Sequence, residues 1–279
     1  MTTVLTPALL EGRGISVRFG GLVAVDAVDV RFDAGELVGI IGPNGAGKTT
    51  LFNVLSGVMA PSAGRLIVQG QDVTGAAAHR YAHHGIARTF QTPRVFGELP
   101  VLANIEFGLR FAGARRRARE DSGLRRWLRQ RGQEHLLWKR RATAGAWALR
   151  DAANILNLVD LAAQTALPAA ALTPAQQRRL EIGMALATQP RLLLLDEVAA
   201  GLTTTEVETM ATLVRRIRDE LDITVVWIEH AVTTLLRHVE RVIVLHQGRK
   251  IADAAPVEVV QNREVIDAYL GDEMVEVAA

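Results

Sequence analysis

The residues with the plainest chemistry lie in Gly42-Pro-Asn-Gly-Ala-Gly-Lys48-Thr49, which fits the pattern GxxxxGK[ST]. Glycines at this spacing let backbone N–H groups turn inward around phosphate oxygens. A helix that starts where the loop ends adds a dipole that favours anions. Gly42, Asn44, Gly45, Ala46, Gly47 and Thr50 belong to this cradle. Lys48 is expected to reach the β- and γ-phosphates of a nucleotide, and the Thr49 hydroxyl to ligate Mg2+. A glycine-rich turn that binds nothing is the plain alternative. The lysine, the hydroxyl and the flanking strand and helix together argue against it. A second cluster closes the apolar run Leu192-Leu-Leu-Leu195, where Asp196 and Glu197 follow directly. Asp196 is placed to hold Mg2+ through water, and Glu197 to orient or deprotonate an attacking water. By itself an apolar strand ending in Asp-Glu reads as a solvated strand end. Beside a phosphate loop it points to nucleotide hydrolysis rather than binding alone.

These groups need elements to hold them. Glu36–Ile41, ahead of the loop, is continuously apolar after its first residue, as buried strands are, and Lys48 to about Ser56 reads as a helix. Ile15–Phe19 and Val28–Phe32 alternate apolar and polar residues. Arg65–Gln69, Arg191–Leu195, Thr224–Ile228 and Arg241–Leu245 also read as strands. Thr173–Thr188, Thr203–Glu220 and Ala231–His238 read as helices, and Val101–Ala166 as mostly helical. Strands alternating with helices predict an α/β fold with a parallel sheet. Antiparallel strands are expected at the front and an inserted α-helical subdomain in the middle. The 279 residues suffice for a buried core, and 49% hydrophobic against 22% charged residues excludes wholesale disorder. With no cysteine, disulfides, thiolate metal sites and a cysteine nucleophile are excluded. No apolar run approaches the ~20 residues that cross a bilayer. The N-terminal MTTVLTPALLEGRG lacks the basic-then-apolar pattern of a secretion signal. A net charge of +2 argues against a uniformly basic nucleic-acid binder.

In this order the motifs resemble the ATP-binding-cassette (ABC) ATPases. Gln91, in Arg88-Thr-Phe-Gln-Thr-Pro-Arg94, matches that family's Q-loop glutamine. The resemblance implies that it touches the metal and the attacking water and senses a transmembrane partner. His230, in Trp227-Ile-Glu-His230, matches the switch histidine at the γ-phosphate, and Phe19 the aromatic residue that stacks on adenine. Glu197, His230 and Gln91 are thus the catalytic candidates, and Thr49, Gln91 and Asp196 the Mg2+ ligands. Further segments sharpen the match: Phe19-Gly-Gly-Leu-Val-Ala-Val25, Asp72-Val-Thr-Gly75, Gly85-Ile-Ala-Arg-Thr-Phe-Gln91, Gln176-Gln-Arg-Arg-Leu-Glu-Ile182, Ala199-Ala-Gly-Leu202 and Val265-Ile-Asp-Ala-Tyr-Leu-Gly271. From Leu10 to Gly271 the chain is similar to ATPase subunits of branched-chain amino acid importers.

The resemblance implies a P-loop ATPase that uses ATP and Mg2+. It implies a second ABC ATPase subunit of different sequence, two transmembrane permease subunits and, indirectly, a solute-binding protein. Its place would be the cytoplasmic face of a bacterial plasma membrane, peripherally, with no nucleic acid partner. It implies one cassette over residues 9–271: a core of about 9–100 and 189–255, a helical subdomain of about 101–188, and a C-terminal helical tail from 256 to 279. Urea or short-chain amide import is the alternative within this class. A soluble, non-transport ABC ATPase is another, although those usually carry two cassettes or a long coiled coil. A phosphate-loop kinase does not account for Gln91 and His230.

The sequence departs from the family where its LSGGQ signature should stand. The segment is Leu172-Thr173-Pro174-Ala175-Gln176, without either glycine. In the family this loop faces ATP held by the partner subunit, so Thr173 and Gln176 are the binding candidates there. Proline offers no N–H, and Ala175 adds a methyl where close backbone approach is wanted. Thr173 can cap a helix, Pro174 suits its first position, and Gln176 completes a capping box. The helix is expected to survive while a phosphate contact weakens, giving an asymmetric pair of ATP sites. Val198 and Thr203 also replace residues usual in the family. Between Arg110 and Arg141, 12 basic residues against 3 acidic ones leave a local charge of +9, with Trp127 and Trp138 inside and Trp147 just beyond. A solvated helical face, contact with anionic lipid headgroups and nucleic-acid binding are the three readings, in that order.

Overall fold

The computed structural model describes residues 8–120, 149–229 and 232–269. The chain divides into two compact units, Met1–Gln91 with Arg191–Arg218 and Ile223–Ala279, and Thr92–Pro190 with Asp219–Asp222.

The first unit holds two sheets. β1 (Leu10–Phe19) and β2 (Leu22–Phe32) form an antiparallel hairpin, β4 (Ala63–Val68) pairs with the other edge of β1, and β5 (Gln71–Asp72) follows, in the order β2-β1-β4-β5. Their alternating residues put Ile15, Val17, Val28, Val30 and Phe32 in the core. The second sheet contains β3 (Leu37–Ile41), β6 (Ile86–Arg88), β7 (Leu192–Asp196), β8 (Thr224–Ile228), β9 (Arg241–His246) and β10 (Arg249–Ala254). Its order is β10-β9-β3-β8-β7-β6, parallel throughout except for β10. β3, β7 and β8 are buried at every position, as strands covered on both faces must be. The helices of this unit are α1 (Lys48–Leu55), α2 (Ala78–His83), α6 (Thr204–Leu221, of which the last three residues fall to the second unit), α7 (Val232–His238) and α8 (Pro256–Val259). Residues 263–269 are helical as well. Phe52 of α1 and Tyr81 of α2 join the β residues in one apolar core. α7 packs tightly on β3, because a Cβ at Gly39 would lie 2.7 Å from Leu235 Cδ2.

The two-residue β5, β6 and β10 were not among the expected strands. β6 has three residues, too few for any alternation to show. β10 turns back through Gln247-Gly248, both at positive φ (47° and 79°), as a two-residue hairpin turn of the primed type requires.

The second unit is built on α3 (Val101–Glu120), α4 (Ala152–Leu158) and α5 (Pro174–Ala187). α3 and α5 approach closely because two glycines remove side chains from the contact. A Cβ at Gly108 would lie 2.7 Å from the Met184 carbonyl, and one at Gly183 would lie 2.8 Å from Ile105 Cδ1. The fully buried Asn104 ties the entry loop to α3. Its Oδ1 accepts from the Phe96 N–H at 2.8 Å, and its Nδ2 donates to the carbonyls of Phe96 and Pro100.

The mostly helical reading of Val101–Ala166 needs correction at its end. α4 stops at Leu158, Asp160 takes a left-handed φ of 54°, and only a 3-10 turn, Ala162–Gln164, follows. Most of the basic stretch, with Trp127, Trp138 and Trp147, lies outside the described residues.

Candidate functional site

Parallel strands place their carboxyl ends along one edge, where open α/β sheets bind ligands. β3 ends there in Gly42, β7 in Asp196 and Glu197, β6 three residues before Gln91, and β8 in Glu229. The sheet therefore gathers two motifs that are 154 residues apart, since Gly42 and Asp196 sit on strands separated only by β8.

In the phosphate loop, Gly42 is buried and a methyl at its Cα would strike the Leu245 carbonyl. Gly47 precedes α1 with a φ of 97°, in the left-handed region, and a methyl there would strike the Ala24 carbonyl. Asn44 and Gly45 are exposed at the tip, Ala46 is buried, Thr49 is exposed and Thr50 partly so. Lys48 is buried, and its ammonium donates to the carbonyls of Gly42 (2.6 Å) and Pro43 (2.9 Å). Burial holds that ammonium below its ordinary pKa, while the carboxylates of Glu197 and Asp196 pull it back up. A phosphate would supply the counter-charge that the loop itself lacks. Tyr269, in the C-terminal segment, lies beside the Gly42 backbone. Burial pushes its phenol up to about 12, with Gly42 pulling the other way.

Asp196 is 2% exposed and Glu197 5% exposed, so both carboxylates are withdrawn from water. Glu197 has a φ of 49°, unusual for a residue with a side chain, and its N–H donates to the Ile228 carbonyl at 3.0 Å. The Gln91 Nε2 donates to Glu197 Oε2 at 2.8 Å, so two of the catalytic candidates already touch. Asp196 Oδ2 accepts from Arg88 at 2.6 Å, while Oδ1 is buried with no hydrogen-bond partner. An acceptor of that kind suits a metal-bound water, so the donor set of Asp196 and the Thr49 hydroxyl fits a hard cation such as Mg2+.

Sequence reasoning missed three groups here. Arg88, the last residue of β6, and Thr89 just after it grip Asp196. Glu229 is 3% exposed and accepts from the Ala199 N–H (2.7 Å) and the Trp227 indole (3.0 Å), tying the end of β8 to the chain beyond Glu197. Its only signal was a carboxylate directly after an apolar strand, the same signal that marked Asp196.

The other expected residues are spread more widely. Phe19 ends β1 and is 50% exposed, free to meet a flat ring. His230 lies outside the described residues. Thr173 and Gln176 belong to the second unit, where they form the expected capping box of α5 with Pro174 in its first turn. Beside them Ala175 is buried, while Thr173 and Pro174 are exposed. Thr203 caps α6, its hydroxyl and N–H both donating to Glu206.

Residues 25–200 match the family model for the ABC transporter. The chain belongs to the ABC transporter family. It is an ATPase of that family, a nucleotide-binding subunit of a transporter with membrane components. Residues 249–275 match a second model, the branched-chain amino acid ATP-binding cassette transporter. The chain is 35% identical over 95% of its length to a Pseudomonas aeruginosa protein named high-affinity branched-chain amino acid transport ATP-binding protein BraF, covering 98% of that relative. It is also 35% identical to LivG of Escherichia coli K12, a protein of the same description, over 96% of this chain and all of LivG. Among solved structures, the ADP conformation of an ATP-binding cassette of an ABC transporter superposes with a TM-score of 0.74 at 28% identity. That match covers 95% of this chain and 99% of the other. As an ABC ATPase the chain binds ATP. Among its described residues no helix is long and apolar enough to cross a membrane.

Proposed function

We propose that this ABC ATPase powers import of branched-chain amino acids from the cytoplasmic face of a bacterial plasma membrane. The observation that carries the solute is the match of residues 249–275 to the branched-chain model, a segment outside the general cassette match. The names of BraF and LivG support the same reading. The cassette is taken to run over residues 9–271, with its helical subdomain at about 101–188 and its tail from 256.

In this reading Gly42, Asn44, Gly45, Ala46, Gly47, Lys48, Thr49 and Thr50 hold the phosphates of ATP, and Phe19 stacks on its adenine. Lys48 exchanges the carbonyls of Gly42 and Pro43 for phosphate oxygens and so regains the counter-charge that burial denies it. Thr49, Gln91 and Asp196 hold Mg2+, which when bound neutralises charge on the phosphates. Glu197 orients and deprotonates the attacking water, and Gln91, hydrogen-bonded to it, holds the carboxylate in place until the water arrives. His230 completes the set at the γ-phosphate. A second, different ATPase subunit supplies the opposite face of each nucleotide, and Thr173 and Gln176 of this chain face the partner's ATP.

Permease contact has its own support. The chain enters the second unit directly after Gln91. There Phe96, Leu99 and Phe107 are 42–57% exposed, with the two rings 5.0 Å apart. Clustered exposed aromatics mark protein contact surfaces.

The test is reconstitution of the ATPase pair with its permeases in proteoliposomes. A solute-binding protein loaded with leucine, isoleucine or valine is expected to stimulate ATP hydrolysis, and one offered urea or acetamide to leave it at the basal rate. Stimulation by urea or acetamide alone would reassign the solute.

A further inference from the structure

Arg88 ends β6, three residues before Gln91. Its side chain is 7% exposed, and its Nη2 donates to Asp196 Oδ2 at 2.6 Å. Its Nη1 donates to Asn53 Oδ1 at 2.6 Å and to Ser56 Oγ at 3.1 Å, the first within α1 and the second at its C-terminal end. The rings of Phe52 and Phe90 lie 5.8 and 5.2 Å from its guanidinium carbon. One planar fork therefore joins three parts of the site: the carboxylate of β7, the helix that begins at Lys48, and the strand that leads to Gln91. Thr89 completes the grip, its hydroxyl accepting the Asp196 N–H at 3.2 Å and its own N–H donating to the Leu194 carbonyl at 3.0 Å. The backbone of Asp196 and one carboxylate oxygen are set by the end of β6 and the residue after it, and the other oxygen, Oδ1, is left buried and unpartnered.

A buried ion pair of this kind is weak evidence for stability, because desolvation offsets much of the attraction. A fixed direction is what the arrangement supplies. Only Nη2 meets the carboxylate, but Asn53 and Ser56 hold the rigid guanidinium plane through Nη1, so that donor reaches Oδ2 from a fixed direction. We propose that Arg88 is a positioning residue for the metal. It turns Asp196 so that Oδ1 faces the cation, and it anchors that orientation to α1 and hence to the phosphate loop. The inference rests on the reading of Asp196 as the Mg2+ ligand.

The experiment measures Mn2+ binding by electron paramagnetic resonance to the full-length chain saturated with ADP, beside ADP affinity without metal. Groups that orient metal ligands typically contribute about 10–100-fold to metal affinity. Arg88→Lys keeps the charge and loses the fork. It is expected to weaken Mn2+ binding about tenfold while metal-free ADP affinity stays within about twofold of wild type. Asn53→Ala with Ser56→Ala leaves the ion pair and cuts its anchor to α1. It is expected to weaken Mn2+ in the same direction by less, and it serves as the test where Arg88→Lys fails to fold. A variant that melts at lower temperature but binds Mn2+ as wild type does would reduce Arg88 to a stabilising ion pair and overturn the proposal. Asp196→Asn separates the two layers. If it too binds Mn2+ normally, the reading of Asp196 fails; if it alone weakens binding, only the positioning role of Arg88 fails.

Discussion

Glu197→Gln is expected to stop ATP turnover while leaving ATP bound. General-base catalysis contributes about 10²–10⁴-fold, and the amide keeps the size of the carboxylate without its basicity. Geometry argues that binding survives. Glu197 sits 5% exposed at a φ of 49°, with its N–H fixed to the Ile228 carbonyl, and none of this depends on its charge. Gln91 already contacts its Oε2, so a glutamine there meets a partner able to turn its own amide and bond it in either sense. The measurement pairs phosphate release with equilibrium ATP binding. Release at the wild-type rate would remove Glu197 from the chemistry, and loss of binding would make it a structural group of the loop.

The same substitution reports on the unequal sites expected from the altered signature. At the start of α5, Pro174 has no N–H, the Gln176 N–H is taken by the Thr173 hydroxyl at 3.3 Å, and the Gln177 N–H by the Thr173 carbonyl at 2.8 Å. Only the Ala175 amide of this first turn is left to meet a phosphate, whereas a helix start ordinarily offers several. In the proposed pair, the site built on this chain's own phosphate loop does not draw on the altered segment. The site that pairs the partner's loop with Thr173-Pro174-Ala175 does. In the assembled pair, Glu197→Gln is therefore expected to remove nearly all hydrolysis. The matching glutamate change in the partner is expected to remove little. Equal losses from the two changes would show that the altered signature is tolerated and that the sites are equivalent.

Much of this site was legible because its parts are local. The phosphate loop is eight consecutive residues between a strand and a helix, and Asp196-Glu197 closes a run of leucines. The capping box at Thr173 and Gln176 is likewise a four-residue pattern, and it forms as expected. What was not legible depends on distance along the chain. Arg88 and Asp196 are 108 residues apart, and only the pairing of β6 with β7 brings them together. Glu229 is a carboxylate like Asp196, but its work is to hold Ala199 and Trp227, a role visible only once β8 lies beside β7. The inward turn of Ala175 could not be read from spacing, because which side of α5 is covered depends on how the second unit packs. The end of α4 was misjudged for a different reason. Alanine-rich sequence after Leu158 favours helix, but Asp160 takes a left-handed conformation that stops it.

The most direct test is uptake of radiolabelled leucine, isoleucine and valine by cells that carry Lys48→Ala in place of the wild-type chain. The substitution removes the buried ammonium proposed to answer the phosphates. Uptake is expected to fall to the level of cells lacking the subunit, with the protein still in its transporter complex. Undiminished uptake from an intact complex would contradict the claim that this chain powers branched-chain amino acid import.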